Sequence, residues 1–125
     1  MQATVLFGHG SSDPSWRVPI DKVAQRIRDT EPDAQVRCAF LERTEPDLPT
    51  TVAELVQSGA TGITIVPMFL GVGKHAREDM PLLVTQLQAD YPDVCFALQP
   101  SVGEEPRVID LLARIASPLA SATRS

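Results

Sequence analysis

Apolar residues along the chain fall into short runs that alternate with longer stretches of helical spacing. The runs are "ATVLF" (Ala3 to Phe7), "AQVRCAF" (Ala34 to Phe40), "GITIVPMF" (Gly62 to Phe69) and "VCFAL" (Val94 to Leu98). The first and third are rich in β-branched and aromatic residues, as in strands buried on both faces. The second alternates more with polar residues, as at a position nearer a sheet edge. Between the runs the period changes. Trp16, Ile20, Val23, Ala24 and Ile27 define one helical stripe, in a helix expected to begin near Ser15 with Pro19 in its first turn. Val52, Leu55 and Val56 define a second, between Pro49 and Gly59. Met80, Leu83, Val84, Leu87 and Tyr91 define a third, and Val108, Ile109, Leu112 and Ile115 a fourth. Pro49 and Pro81 are read as marking helix starts, where a missing N–H costs little.

Strand and helix alternating four times predict an α/β fold, a parallel sheet with helices on both faces. We read residues 1–117 as a single domain and 118–125 as a small, polar tail that frays. The chain length suits that reading. Cys38 and Cys95 lie inside apolar runs and are read as buried free thiols; no CxxC pair suggests a sulfur-ligated metal. No apolar run approaches the ~18 residues of a membrane span, and no basic leader precedes Val5, so the expected location is the cytoplasm, without membrane attachment. The net charge of −5 opposes non-specific nucleic-acid binding.

With that frame, two residues stand out. The chain has two histidines, and each follows a predicted strand in a glycine-flanked stretch: His9 in "LFGHGSSD" and His75 in "GVGKHARED". With a strand order of 2-1-3-4, strands one and three are neighbours and the winding reverses between them. A crevice then opens at their carboxyl ends, with His9 and His75 across it. Glu42, at the end of the second strand, faces the same crevice; Glu45, Glu78 and Asp79 are near enough to take its place. Two imidazoles and a carboxylate suit a divalent metal such as Co, Ni, Fe or Zn, and imidazole is the usual base near neutral pH. Gly8, Gly10, Gly71 and Gly73 are read as letting the backbone turn and approach a ligand. Ser11, Ser12 and Asp13 are read as capping the first helix, with Ser11 and Ser12 also able to contact an anion. Lys74, Arg43 and Arg77 are solvated charges within reach of a ligand carboxylate. Met68 and Phe69 are read as core or pocket wall. Neither glycine stretch is a nucleotide motif: Asp13 stands where GxGxxG needs glycine, and His75 where a P-loop needs Ser or Thr. A phosphoryl-transfer site around His9 lacks an arginine beside the histidine.

The motifs "GHGS", "AFLE…EPDL" and "VPMFLGVGKHAREDMP", in this order and spacing, resemble the small CbiX proteins, sirohydrochlorin chelatases of the class II type. "GEEPRVIDLL" is similar to that family's last helix, and the resemblance runs from about Thr4 to Ile115. It implies a chelatase-like three-layer sandwich with a four-stranded parallel sheet. It implies insertion of Co(II), Fe(II) or Ni(II) into sirohydrochlorin, in cobalamin or siroheme synthesis. The metal is then a substrate, and no organic cofactor is implied. His9 and His75 correspond to the family's metal-handling and catalytic pair, and Glu42 to its carboxylate. Gly10, Ser11, Ser12, Arg43, Gly73 and Lys74 are the expected substrate contacts. Longer members join two such halves, and short ones pair as homodimers. A non-catalytic tetrapyrrole or metal carrier on the same fold is the alternative.

Overall fold

A computed structural model describes residues 1–118. The tail expected to fray lies outside them beyond Pro118. The strands are β1 (Gln2–Gly8), β2 (Gln35–Phe40), β3 (Gly62–Pro67) and β4 (Cys95–Leu98). The helices are α1 (Val18–Thr30), α2 (Leu48–Gln57), α3 (Lys74–Asp90) and α4 (Pro106–Ala116). All strand pairs are parallel, in the order β2-β1-β3-β4. The expected order and the central placement of the two most apolar strands are thus both found. No helix among the described residues is long and apolar enough to cross a membrane.

Strand alternation sorts the core into two layers. Val5, Phe7, Ala39, Ile63 and Ile65 point to one face, where Leu48, Val52 and Leu55 of α2 and Met80 and Leu87 of α3 cover them. Leu6, Val36 and Phe40 point to the other, against Ile20 and Ala24 of α1. Each large side chain withdrawn from water here stabilises the fold by roughly 1.5–3 kcal/mol. The two layers are unequal. On the second face α1 covers β1 and β2, while Cys95 and Ala97 of β4 are exposed.

Several local expectations change in the structure. The first helix does not begin at Ser15; residues Pro14–Arg17 form a 3₁₀ turn capped by Asp13, and α1 starts at Val18. Pro19 explains this, because it has no N–H to offer the Ser15 carbonyl, which takes the N–H of Val18 instead. Pro81 is not at a helix start. It is the eighth residue of α3, which begins at Lys74 behind Gly73 as N-cap. The proline leaves the Arg77 carbonyl without its helical donor. The cysteines are not both buried: Cys38 is half-buried and Cys95 is exposed. Burial raises the Cys38 thiol above its ordinary pKa. The fourth apolar stripe exists on α4, yet none of its residues is buried.

Helix α2 starts where the sequence suggested, and its cap is testable. The Asp47 carboxylate accepts the Thr50 N–H at 2.8 Å. The Thr50 hydroxyl and N–H together hold that carboxyl below the usual range. A carboxyl lowered on folding stabilises the protein above its unfolded pKa, ~3.9, and this contribution is lost as pH falls through the folded value. Asp47→Ala is expected to cost about 1 kcal/mol at pH 7. Urea unfolding at a series of pH values should show the gap to wild type closing only below about pH 4.

Candidate functional site

The site is built at the carboxyl ends of β1, β2 and β3, and backbone bonds fix its first wall. Beyond the sheet, the β1 and β2 chains continue to pair: Leu41 N–H donates to the Gly8 carbonyl at 2.9 Å and Glu42 N–H to the His9 carbonyl at 3.0 Å. Gly10 follows with φ of 101°, and a Cβ there would collide with the Glu42 carbonyl oxygen. Glycine is required at this position on both counts. Thr44 closes the joint. Its hydroxyl accepts the Ser11 N–H at 2.9 Å and donates to the Ser11 carbonyl at 2.8 Å. Arg43, between them, sits in the left-handed region with φ of 60°, an uncommon state for a residue with a Cβ.

This joint brings His9 onto Glu42, with Nε2 3.0 Å from Oε1. Both side chains are about half exposed, at 54% and 52%. An ionised Glu42 accepts from Nε2–H, which places the imidazole lone pair on Nδ1. Phe69, itself buried, meets the His9 ring edge-on with centroids 6.1 Å apart. The carboxylate beside His9 is therefore Glu42 rather than Glu45, Glu78 or Asp79.

His75 reaches the same place from β3. It is exposed, and it stands in the first turn of α3 rather than in a loop. His9, Phe69, Val72, Lys74 and His75 line one cleft of about 190 Å³. The two histidines thus face a common space, as the strand order requires. Gly71 and Gly73 border it, but neither has the positive φ expected of a sharp turn, and nothing lies within 4 Å of where their Cβ atoms would stand. Their missing side chains leave the rim of the cleft open instead. Gly103 packs on the Leu70 backbone from behind, and its N–H donates to the Phe69 carbonyl at 3.0 Å. Leu70 is left 71% exposed at the rim.

The other expected contacts divide between sites. Lys74 and Gly73 lie at the histidine cleft. Ser11, Ser12 and Arg43 line a separate cleft of about 280 Å³ with Asp13, Arg17 and Thr44. Asp13 spends its carboxylate on Ser15, whose N–H and hydroxyl hold its pKa down. Arg17 was not singled out from sequence. It is bound to Asp21 through Nε and Nη2 at 2.9 and 3.0 Å and lies over the Phe40 ring. Those bonds make it a fixed part of the wall. A larger, open cleft of about 920 Å³ runs from Glu42 along the loop to Asp47 and Glu54. Its acidic lining suits a cation better than a polycarboxylate, and no histidine opens onto it. Among the described residues, no three His, Cys, Asp or Glu side chains converge as a closed metal cage. A metal held between His9 and His75 keeps positions open for other ligands.

A doubly wound sheet with a histidine–carboxylate pair at the ends of β1 and β2 and a second histidine across its switch point defines a small α/β protein with a histidine cleft at the carboxyl edge of the sheet. The chain belongs to the CbiX family, whose model matches residues 3–118. It is 34% identical over 90 residues to the sirohydrochlorin cobaltochelatase of Methanococcus aeolicus, covering 72% of this chain and 63% of that protein. It is 30% identical over 115 residues to that of Methanosarcina acetivorans, covering 86% and 88%. Its alignments span about three fifths of the length of the first curated relatives it matches. Among solved structures, the putative cobalamin biosynthesis CbiX protein of Marinobacter aquaeolei superposes with TM-score 0.82 and 28% identity, over 98% of this chain and all of that one. The chelatase SirB of Bacillus subtilis subspecies spizizenii, in complex with cobalt, superposes with TM-score 0.74 and 27% identity, over 91% of this chain and 49% of that one.

The β1–β2 joint predicts a specific sensitivity. Gly10→Ala forces a Cβ into the Glu42 carbonyl and strains φ, and is expected to cost about 1–3 kcal/mol. Thermal unfolding of the variant would measure it. A melting temperature equal to wild type would show that the loops part freely.

Proposed function

We propose that this chain is a sirohydrochlorin chelatase that inserts a divalent metal, Co(II) first and Fe(II) or Ni(II) as alternatives, into the macrocycle. The reading rests on one observation above others: His9, paired with Glu42, shares a cleft with His75 in a CbiX-family fold. The relatives' names support it, being those of sirohydrochlorin cobaltochelatases. As a short family member, the chain works as a homodimer.

Insertion exchanges two pyrrolic N–H protons for one M²⁺, and the ion must shed water as the nitrogens take over. His75 and His9 first hold the ion from the cleft side as imidazole ligands, a donor set suited to Co(II), Fe(II) and Ni(II) alike. His9 gives up the ion as the macrocycle nitrogens take it, which frees its Nδ1 lone pair. The His9 lone pair accepts a pyrrolic proton, and Glu42 stabilises the resulting imidazolium through the bond at Nε2. Because both side chains reach solvent, that proton leaves to water and the pair resets for the second. The open rim at Gly71 and Gly73, with exposed Leu70, suits the flat face of a macrocycle. Lys74, Arg43, Ser11 and Ser12 supply the local donors that an acidic protein needs to hold the macrocycle's carboxylates.

The test is a visible-absorbance time course of sirohydrochlorin with Co(II), Fe(II) or Ni(II). The chain should accelerate metallation, and His9→Ala and His75→Ala should each lose at least about a hundredfold of the acceleration, the scale of one acid–base or metal-handling group. A spectral shift without acceleration would instead support a tetrapyrrole carrier.

A further inference from the structure

One side chain at the border of the site is held at every nitrogen although it is partly exposed. Arg17 ends the 3₁₀ turn before α1, and its side chain is 32% exposed. Nε and Nη2 donate to the two carboxylate oxygens of Asp21 at 2.9 and 3.0 Å. Nη1 donates to the Glu45 carbonyl at 3.2 Å. The guanidinium lies 4.7 Å from the ring centroid of Phe40, the fully buried last residue of β2, which Trp16 also meets edge-on. An ion pair this exposed adds little to stability. What the arrangement fixes is direction. Carboxylate fork and aromatic face leave the planar guanidinium one orientation, and in it Nη1 meets the loop between β2 and α2.

That loop carries Glu42. It is tied at its start by the Leu41 and Glu42 N–H groups and at its end by the Phe40 N–H, which donates to the Pro46 carbonyl at 2.9 Å. In between, it is tied to the segment joining β1 to α1 twice, by Thr44 to Ser11 and by Arg17 to Glu45. The first tie belongs to the joint beside His9. The second comes from outside the joint, three residues along the loop from Glu42. The His9–Glu42 contact is half exposed at both ends, so it cannot hold the loop by itself. Glu42 also lines the open cleft of about 920 Å³ on the loop's other side, and a loop released at Glu45 leaves its carboxylate free to turn that way.

We propose that Arg17 is a positioning residue for metallation. By holding the Glu45 carbonyl it keeps the Glu42 carboxylate on His9 Nε2, and it acts through that pair rather than on the macrocycle. Asp21 and Phe40 serve it by aiming the guanidinium. The inference rests on the chelatase reading of the His9–Glu42 pair and adds a residue to it. It also separates Arg17 from Arg43, which lines the same cleft of about 280 Å³ and is the side chain assigned to a ligand carboxylate. Loss of a ligand contact of that kind moves KM, whereas loss of a positioning residue moves kcat.

Steady-state metallation of sirohydrochlorin by Co(II), combined with amide hydrogen exchange read by NMR, tests it. Arg17→Gln should lower kcat about tenfold or more and leave KM within about twofold. Asp21→Ala, which removes the aim without touching the loop, should lower kcat in the same sense. In a Glu42→Ala background, Arg17→Gln should cost less than about twofold, because the group it positions is gone. In the protein without metal or macrocycle, Arg17→Gln should speed exchange of the Leu41 and Glu42 amides about tenfold and leave those of Val5 and Ile65 unchanged. A kcat equal to wild type in either variant, a rise in KM alone, the same tenfold loss without Glu42, or faster exchange throughout the sheet would each overturn the proposal. A wild type that does not accelerate metallation overturns the chelatase reading, and the catalytic half of the proposal with it. The exchange pattern alone then decides whether Arg17 holds the Glu42 loop in register.

Discussion

The backbone joint between the ends of β1 and β2 is the constraint on which the site depends. Parallel strands normally part where the sheet ends, because each must turn into its own helix. Here pairing persists beyond the sheet through Leu41 and Glu42, and the Thr44 hydroxyl fastens Ser11 from both sides. Only a residue without a Cβ can let the Gly10 backbone lie against the Glu42 carbonyl. Each bond contributes modestly, about 0.5–1.5 kcal/mol net. Their joint effect is positional: the imidazole and the carboxylate sit on adjacent loops that cannot drift apart separately. A half-exposed ion-pair contact would not hold that geometry by itself.

The second histidine depends on a different device. β3 lies beside β1 in the sheet, so its carboxyl end opens beside His9 without any special loop. What sets His75 in place is the start of α3. Helix geometry holds the residue in a first turn whose N-cap, Gly73, adds no side chain to the cleft. The buried Phe69 ring stands against His9, and the turn at Gly103 supports its backbone from behind. The site thus has one wall locked by backbone hydrogen bonds and another carried on a helix.

Most of this arrangement was legible in the sequence, for physical reasons that also show where legibility stops. Strand period and chain direction place a residue that follows a parallel strand at one edge of the sheet, so His9, His75 and Glu42 were placed from pattern alone. Choosing Glu42 over Glu45, Glu78 and Asp79 needed the joint, which leaves no periodic trace: Thr44 is one polar residue in a polar loop. Pro81 misled because a proline at a helix start and one inside a helix look alike until the N-cap is known. Gly71 and Gly73 misled because glycine signals equally a strained turn and an absent side chain. The cysteines misled because an apolar run at a sheet edge need not be covered. Neighbouring residues in sequence do not reveal which faces have partners.

That last point applies most strongly to α4. Periodicity states that a helix has an apolar face, and it is silent on whose surface the face meets. For α1, α2 and α3 the partner is the chain's own sheet, and each buries its stripe in part. For α4 the stripe is equally clear and remains in water. A fold with four strands, three helical crossovers and a further helix after β4 has enough helices to cover both faces. Here three of them do so, and the fourth leaves one half of one face bare. The site lies at the carboxyl edge of β1 and β3, while the bare half begins at Val66, paired in register with Leu6 of β1.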